Sequence, residues 1–290
     1  MCNNKTKFGK ACRLNPRHEP LSDDDRKLIL ELVNNARSDH ARGKVTYDSQ
    51  KIGPFKDVEA AKMIETIWSD EDEMISLNHA VRCTMKPDKC HRTAFKKFAG
   101  QNLGVVCRSA HYTVKEVINE IVHNGWRAQC NNYPQNTASW MQNFPTSRDL
   151  AKKQIFPSTV ENYATLMIED NFSMGCSIVR DELMADDVNS AGKLIKKKVF
   201  CSYMTCNFAR SIVRDNITNT AQVYEKGKAQ SKCGVLGHSM EYKGLCGPID
   251  PQKHSFDELP IDKRLFVKET WPENEAPPVK KWKKLNKVGP

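Results

Sequence analysis

Eleven cysteines, at positions 2, 12, 83, 90, 107, 130, 176, 201, 206, 233 and 246, constrain this 290-residue chain more than any other feature. No CxxC pair occurs among them. That scattered spacing argues against a structural zinc site and for disulfides. Disulfides persist in the secretory pathway and outside the cell. A cytosolic chain with reduced cysteines is the alternative. The odd count leaves at least one thiol free or paired between chains. Three N-glycosylation sequons, at Asn4, Asn171 and Asn216, fit the oxidising compartment, although a chain of this length carries one or two by chance. No apolar run is long enough to cross a membrane, and no signal peptide opens the chain. The expectation is a mature secreted form, with Met1 an added residue.

A hydrophobic content of 39% supports one sizeable core with tails. The net charge of +10 favours anionic partners: sulfated polysaccharide, phospholipid headgroups, nucleic acid or an acidic protein. Nucleic acid is the weakest of these, because no zinc-finger spacing or nucleic-acid-binding motif is visible.

Ser22 before Asp23-Asp24-Asp25, followed by Leu28, Leu32 and Ala36, marks a helix that Gly43 ends. A second helical pattern covers Ala60 to Val81, with a break near Asp70. A third runs from Val114 to Ala128. Residues 131–160 read as a long loop or short helices, and Asn162 to Glu169 as helix. Gly175-Cys-Ser-Ile-Val and Lys198-Val-Phe-Cys-Ser-Tyr read as short strands joined by a hairpin loop, with further strand material at Cys206–Ala209 and Ala221–Tyr224. The predicted fold class is α+β: helices on both faces of a small, mostly antiparallel sheet. The expected organisation is a disulfide-tethered segment over 1–20, the main domain over 21–210, a cysteine-containing extension over 211–246 and a proline-rich basic tail over 247–290. In that tail Lys280, Lys281, Trp282, Lys283, Lys284 and Lys287 form either a loose solvated end or an anion- or membrane-surface contact.

The order of several fragments resembles the CAP superfamily of cysteine-rich secretory proteins, antigen-five allergens and pathogenesis-related proteins, with the nearest likeness to insect antigen-five-related proteins of venom and saliva. Val33 to Gly43 resembles the motif HNxxRxxxAxG, with Val33 in the histidine place. Ala61 to Cys83 resembles the helix that contains AxxMxxxxW and ends in cysteine, and Cys83 to Cys90 keeps the antigen-five spacing. Phe98-Ala-Gly-Gln-Asn-Leu resembles the GQNL or GENL element. Asn162-Tyr-Ala-Thr resembles HYTQ, and Gly175-Cys176 and Cys206-Asn-Phe-Ala resemble the paired-cysteine strands. The resemblance implies a disulfide-stapled α-β-α sandwich. It implies pairs Cys12–Cys83, Cys2–Cys90, Cys176–Cys206 and Cys233–Cys246. Cys107 and Cys130, on either side of the third helix, are taken as a further pair, which leaves Cys201 a single buried thiol.

Many CAP proteins hold two histidines and two glutamates in a central cleft, where they can bind zinc or order water. The matching positions here are Pro87, Gln101, Gln129 and Asn162. None offers an imidazole or an ionised carboxylate, so no metal and no cofactor are expected, and no catalytic residue is assigned. His91 reads as a surface residue; His79, His111 and His123 have no ligand partner at suitable spacing, and no GxSxG elbow occurs. The expected function is that of a secreted non-enzymatic binding protein, a salivary or venom modulator of host haemostasis or immunity. Its expected partner is a host extracellular protein or an acidic glycan. The alternatives are a carrier of small hydrophobic lipids, in a channel drawing on Ile118, Ile121 and Val122, and an insect reproductive or humoral protein. Lys96-Lys97, Lys152-Lys153 and Lys196–Lys198 are either glycan contacts or solubilising charge.

Overall fold

The computed structural model describes residues 7–45, 59–88, 92–133, 137–188, 193–216 and 220–271. Cys2, Cys90, His91, Asn4 and the Lys280–Lys287 tail lie outside them. The helices and strands in chain order are β1 (Leu14–Glu19), α1 (Asp23–Ala41), β2 (Ile67–Trp68), α2 (Asp70–Ala80), β3 (Gly100–Arg108), α3 (Val114–Ile118), α4 (Thr137–Gln142), α5 (Ser147–Lys152), α6 (Glu161–Leu166), β4 (Ser173–Val188) and β5 (Leu194–Phe208).

Ser22 caps α1 in a reciprocal box with Asp25, as its sequence demands. The face that α1 buries is not the Leu28–Leu32 row. Ile29, Val33, Ala36, Arg37 and His40 face inward, and Leu28 and Leu32 pack from the periphery. The region expected to be helical from Ala60 is extended until Ser69, which caps α2. Its apolar residues mimic helical spacing, but its backbone bonds to other segments. Ile64 N–H donates to Glu169 (3.0 Å), Ile67 N–H to Phe172 (3.0 Å) and Ser69 N–H to Met174 (2.7 Å). The third helix continues beyond α3 as a π-helical stretch over Asn119–Trp126 and a 3-10 turn over Arg127–Asn132.

The sheet runs β1-β4-β5-β3, all antiparallel, with β2 parallel to β4. The two central strands are far longer than the short strands expected. They form a hairpin in which Val188 still faces Leu194, so most of the presumed connecting loop is strand. Packed on one face, α2 lies so close that a Cβ on Gly175 would fall 2.1 Å from the Glu73 backbone nitrogen. The other face carries α1, α3 with its continuation, and α6 around one large core that includes Ile118, Ile121 and Val122. Those three are fully or nearly fully buried packing residues.

Disulfides join Cys12 to Cys83, Cys176 to Cys206, Cys233 to Cys246 and Cys107 to Cys201. The last corrects the Cys107–Cys130 pairing and the single Cys201. The reason is register: β3 sets Cys107 directly opposite Cys201 on β5, with Cα atoms 4.0 Å apart. Cys130 is the free thiol among the described residues. It is buried in the main core, which pushes its pKa up to about 11 and leaves it unreactive.

A boundary at Cys246 does not separate packed from loose chain. Residues 247–271 build a second core in which Phe256, Leu259, Ile261, Leu265, Phe266 and Trp271 close over Ile64, Phe95 and Phe172. Phe95 sits at its centre, 5.1 Å from the rings of both Phe266 and Trp271. Asn171 is corrected as a glycosylation candidate. It is fully buried, donating to Thr165 O (2.6 Å) and accepting from Arg210 N–H (2.7 Å), so the folded chain gives a glycan no room there. Asn216 is exposed.

Candidate binding cleft

Three of the four sequence-predicted positions meet at the start of the β3 edge. Pro87, Gln101 and Asn162 line a cleft of about 670 Å³. Its walls come from the loop after α2, from β3, from the loop before α5, from the start of α6 and from Ser211 to Arg214. Gln129 is not a wall residue. It stands behind one, donating from Nε2 to Ser158 O (2.9 Å) and accepting Tyr163 N–H at Oε1 (3.3 Å).

An amide chain holds the walls together. Gln101 Oε1 accepts Asp88 N–H (2.9 Å), tying the loop that carries Pro87 to β3, and Gln101 Nε2 donates to Asn207 Oδ1 (3.0 Å). Asn102 Nδ2 donates to Asn162 O (3.0 Å), tying β3 to α6. His79 braces the same loop from below: its ring nitrogens lie 3.0 Å from Thr205 Oγ1 and 2.9 Å from Lys86 O. His40 lies deeper, 2.8 Å from the Tyr163 hydroxyl, and burial pulls its pKa down to about 3, so it stays neutral.

Zinc does not fit this donor set. It selects thiolate, imidazole and carboxylate ligands, whereas these positions supply a proline ring and neutral carboxamides. Among the described residues no cluster of three His, Cys, Asp or Glu side chains is placed to hold a metal ion.

Sequence reasoning missed two wall residues. Glu161 brings a half-buried carboxyl to the cleft, and burial raises its pKa. Asn102 is 1% exposed, and its Oδ1 has no hydrogen-bond partner. Glu161 was legible only as the neighbour of Asn162; nothing in its local pattern signals burial.

A second cavity of about 990 Å³ is lined by Lys62, Glu169, Arg210, Glu225 and Asp262 among others. Its charges are compensated: Lys62 pairs with Glu169 (3.0 Å), Arg210 with Asp170 (2.8 Å) and Arg264 with Asp262 (2.8 Å). Beneath it the fully buried Arg37 donates to four carbonyls, those of Leu166, Ile168 (2.9 Å), Ile64 (2.7 Å) and Glu169 (3.3 Å). This is the arginine of the Val33–Gly43 motif, and its work is to fix the chain on which Glu169 and Asp170 sit.

The expected basic patches also change character. Lys96 is buried and pairs with Asp72 (2.5 Å), while Lys196, Lys197 and Lys198 face Asp186, Asp187 and Glu182 across the hairpin. Lys153 lies over the Trp140 ring (5.2 Å).

No family model matches the chain. Over 248 residues it is 28% identical to Venom allergen-1 of Aedes aegypti, covering 85% of this chain and 82% of that protein. It is 25% identical over 250 residues to Tabinhibitin 4 of Tabanus yao, covering 85% and 84%. The solved structure of Na-ASP-1 superposes on 83% of this chain with a TM-score of 0.51 at 18% identity. These likenesses support a member of the CAP superfamily close to the insect antigen-5 proteins. This chain spans half of the Na-ASP-1 chain, and that likeness carries the fold alone. The α+β sandwich and the stapled sheet are those of the superfamily. No described helix is long and apolar enough to cross a membrane.

Proposed function

We propose that this CAP protein is a secreted, non-enzymatic binding protein of the venom or salivary kind, acting on a host extracellular protein or an acidic glycan and lacking the His/Glu metal centre. The observation that carries the reading is the composition of the cleft. Pro87, Gln101 and Asn162 line it and Gln129 supports it, so no imidazole or carboxylate pair is available to hold zinc or activate water. Four disulfides among the described residues and the similarity to venom allergens and tabinhibitins support an extracellular setting. Because the lysine runs of the body are paired or buried, we assign acidic-glycan contact to Lys280, Lys281, Trp282, Lys283, Lys284 and Lys287 of the tail.

Native mass spectrometry of the secreted protein, with metal analysis on the same sample, tests the reading. The expected result is a metal-free chain that captures a host plasma or cell-surface component in a salt-sensitive manner. Zinc at one per chain refutes the lost centre. A co-purified lipid-sized mass moves the function to cargo binding.

A further inference from the structure

Glu161 is the exception among the sequestered carboxylates. Asp72, Glu169 and Asp170 each face a cation. Among the described residues Glu161 has neither an ion pair nor a hydrogen bond, although it is half-buried in a cleft wall. A carboxylate in partly desolvated surroundings without a counter-charge is costly, and that cost is relieved when a cation docks beside it. The local helix does not explain its place: α6 is only six residues long, and its cap makes no side-chain hydrogen bond. The other charged wall residue, Arg214, is engaged with Phe144 O (3.0 Å) and Asn143 Oδ1 (3.3 Å).

A second observation points to the same ligand chemistry. Asn102 lines the cleft, is 1% exposed and leaves Oδ1 without a partner. Its orientation is fixed, because only the amide nitrogen can donate to Asn162 O. The unfilled group is therefore an acceptor. The Asn162 carboxamide, next to Glu161, also lines the cleft with no partner to its side chain among the described residues. A buried acceptor, a free carboxamide and an uncompensated carboxylate on adjoining walls call for a ligand rich in N–H donors and carrying positive charge.

We propose that the cleft binds a cationic nitrogen group, an ammonium or guanidinium, with Glu161 as its counter-charge and Asn102 Oδ1 and Asn162 as hydrogen-bond acceptors. The group comes either from a free small amine or from a basic side chain displayed on a polypeptide. This rests on the metal-free, non-catalytic reading of the cleft proposed above, and not on the host role.

Isothermal titration calorimetry on the full chain tests it, with agmatine for the free amine and acetyl-Gly-Lys-Gly-amide for the displayed side chain. Acetyl-Gly-Gln-Gly-amide, which lacks the charge, serves as the control. At least one cationic probe is expected to bind, with a Kd that weakens tenfold or more in Glu161→Gln and tightens several-fold in Asn162→Asp, which adds a second carboxylate. Binding of only the peptide or only agmatine identifies the source, and either supports the site. Failure of both probes to bind the wild-type chain overturns the proposal, as does equal affinity for the glutamine peptide or an unchanged Kd in both variants. Plasma capture without probe binding would sink this inference alone; probe binding without capture would sink the host-partner reading alone.

Discussion

Arg37→Met puts the buried scaffold to a quantitative test. Arg37 lies in the helix face that packs on the main core, and its guanidinium serves the carbonyls of Leu166, Ile168, Ile64 and Glu169. Methionine keeps much of the apolar stem and the helix propensity, so packing loss is small. The Leu166 and Ile64 carbonyls then lose their donor, while Ile168 O keeps Asn171 N–H (3.1 Å) and Glu169 O keeps Ile64 N–H (3.0 Å). Each buried acceptor left unpaired costs about 1–3 kcal/mol. Against this, removing the guanidinium also removes the penalty of burying a charge, which opposes its ionisation. Breaking a buried charged network by deleting one side nets about 3–5 kcal/mol of destabilisation. Urea unfolding of the oxidised protein, at an m-value near 3 kcal/mol/M, should show the midpoint falling by roughly 1–1.7 M with m unchanged. A variant within about 1 kcal/mol of wild type would show that the carbonyls find other donors, and would refute the view that Arg37 pins the Leu166–Asp170 turn.

The remaining predictions concern single sites. Gly175→Ala forces a Cβ to within 2.1 Å of the Glu73 backbone, so α2 must move off the sheet; a loss of about 2–3 kcal/mol by urea unfolding is expected, and a neutral result would disprove the close approach. The Glu169 carboxyl is raised to about 7, by burial first and the neighbouring Asp170 second, against the pull of Lys62. A pKa raised on folding gives stability that is full below the unfolded value of about 4.5 and is lost as pH rises through about 7. The unfolding midpoint should therefore fall between those pH values, and Glu169→Gln should flatten that slope; parallel pH curves for the two proteins would rule the linkage out. Thiol mapping should find Cys130 unlabelled by iodoacetamide until denaturant is added, and a peptide linking Cys107 to Cys201; rapid labelling of Cys130 in the native protein would contradict its burial.

The sequence was readable where a local rule governs the backbone. Ser22 with its acidic first turn placed α1, and the Cys83–Cys90 loop, the Gly100–Leu103 element and the Asn162–Thr165 fragment placed cleft walls through family resemblance. It was unreadable where partners are distant. Met63, Ile64, Ile67 and Trp68 have helical spacing, yet their strand and loop conformation is set by Cys246, Phe172 and Met174. Gly100–Arg108 begins with glycine and amides and gives a weak strand signal, but an open edge of β5 recruits it. The second core has no periodicity to find, because Phe256, Leu259, Ile261, Leu265, Phe266 and Trp271 enter from short 3-10 turns and extended links. Cys107 and Cys130 flank a helix, but register across β3 and β5, invisible in the sequence, chose Cys201.

Charge offers the sharpest separation of the two proposed contacts. A net charge of +10 does not locate an anion site when Lys96 is spent on Asp72 and the hairpin lysines on their cross-strand carboxylates. What remains is a basic chain whose cleft presents an uncompensated carboxylate at Glu161. A cation approaching that cleft moves against the long-range field of the molecule and is held only by short-range contacts. Salt shortens the reach of that field to about 8 Å at physiological ionic strength. Raising salt from about 0.05 to 0.3 M should therefore weaken glycan capture several-fold, while agmatine affinity stays level or improves, since the repulsion is screened over a longer distance than the Glu161 contact. Heparin-column retention and calorimetry on the same preparation check the pair. A parallel loss of both would mean that long-range attraction holds the cation, and would refute the view that it binds against the field of the molecule by short-range contacts alone.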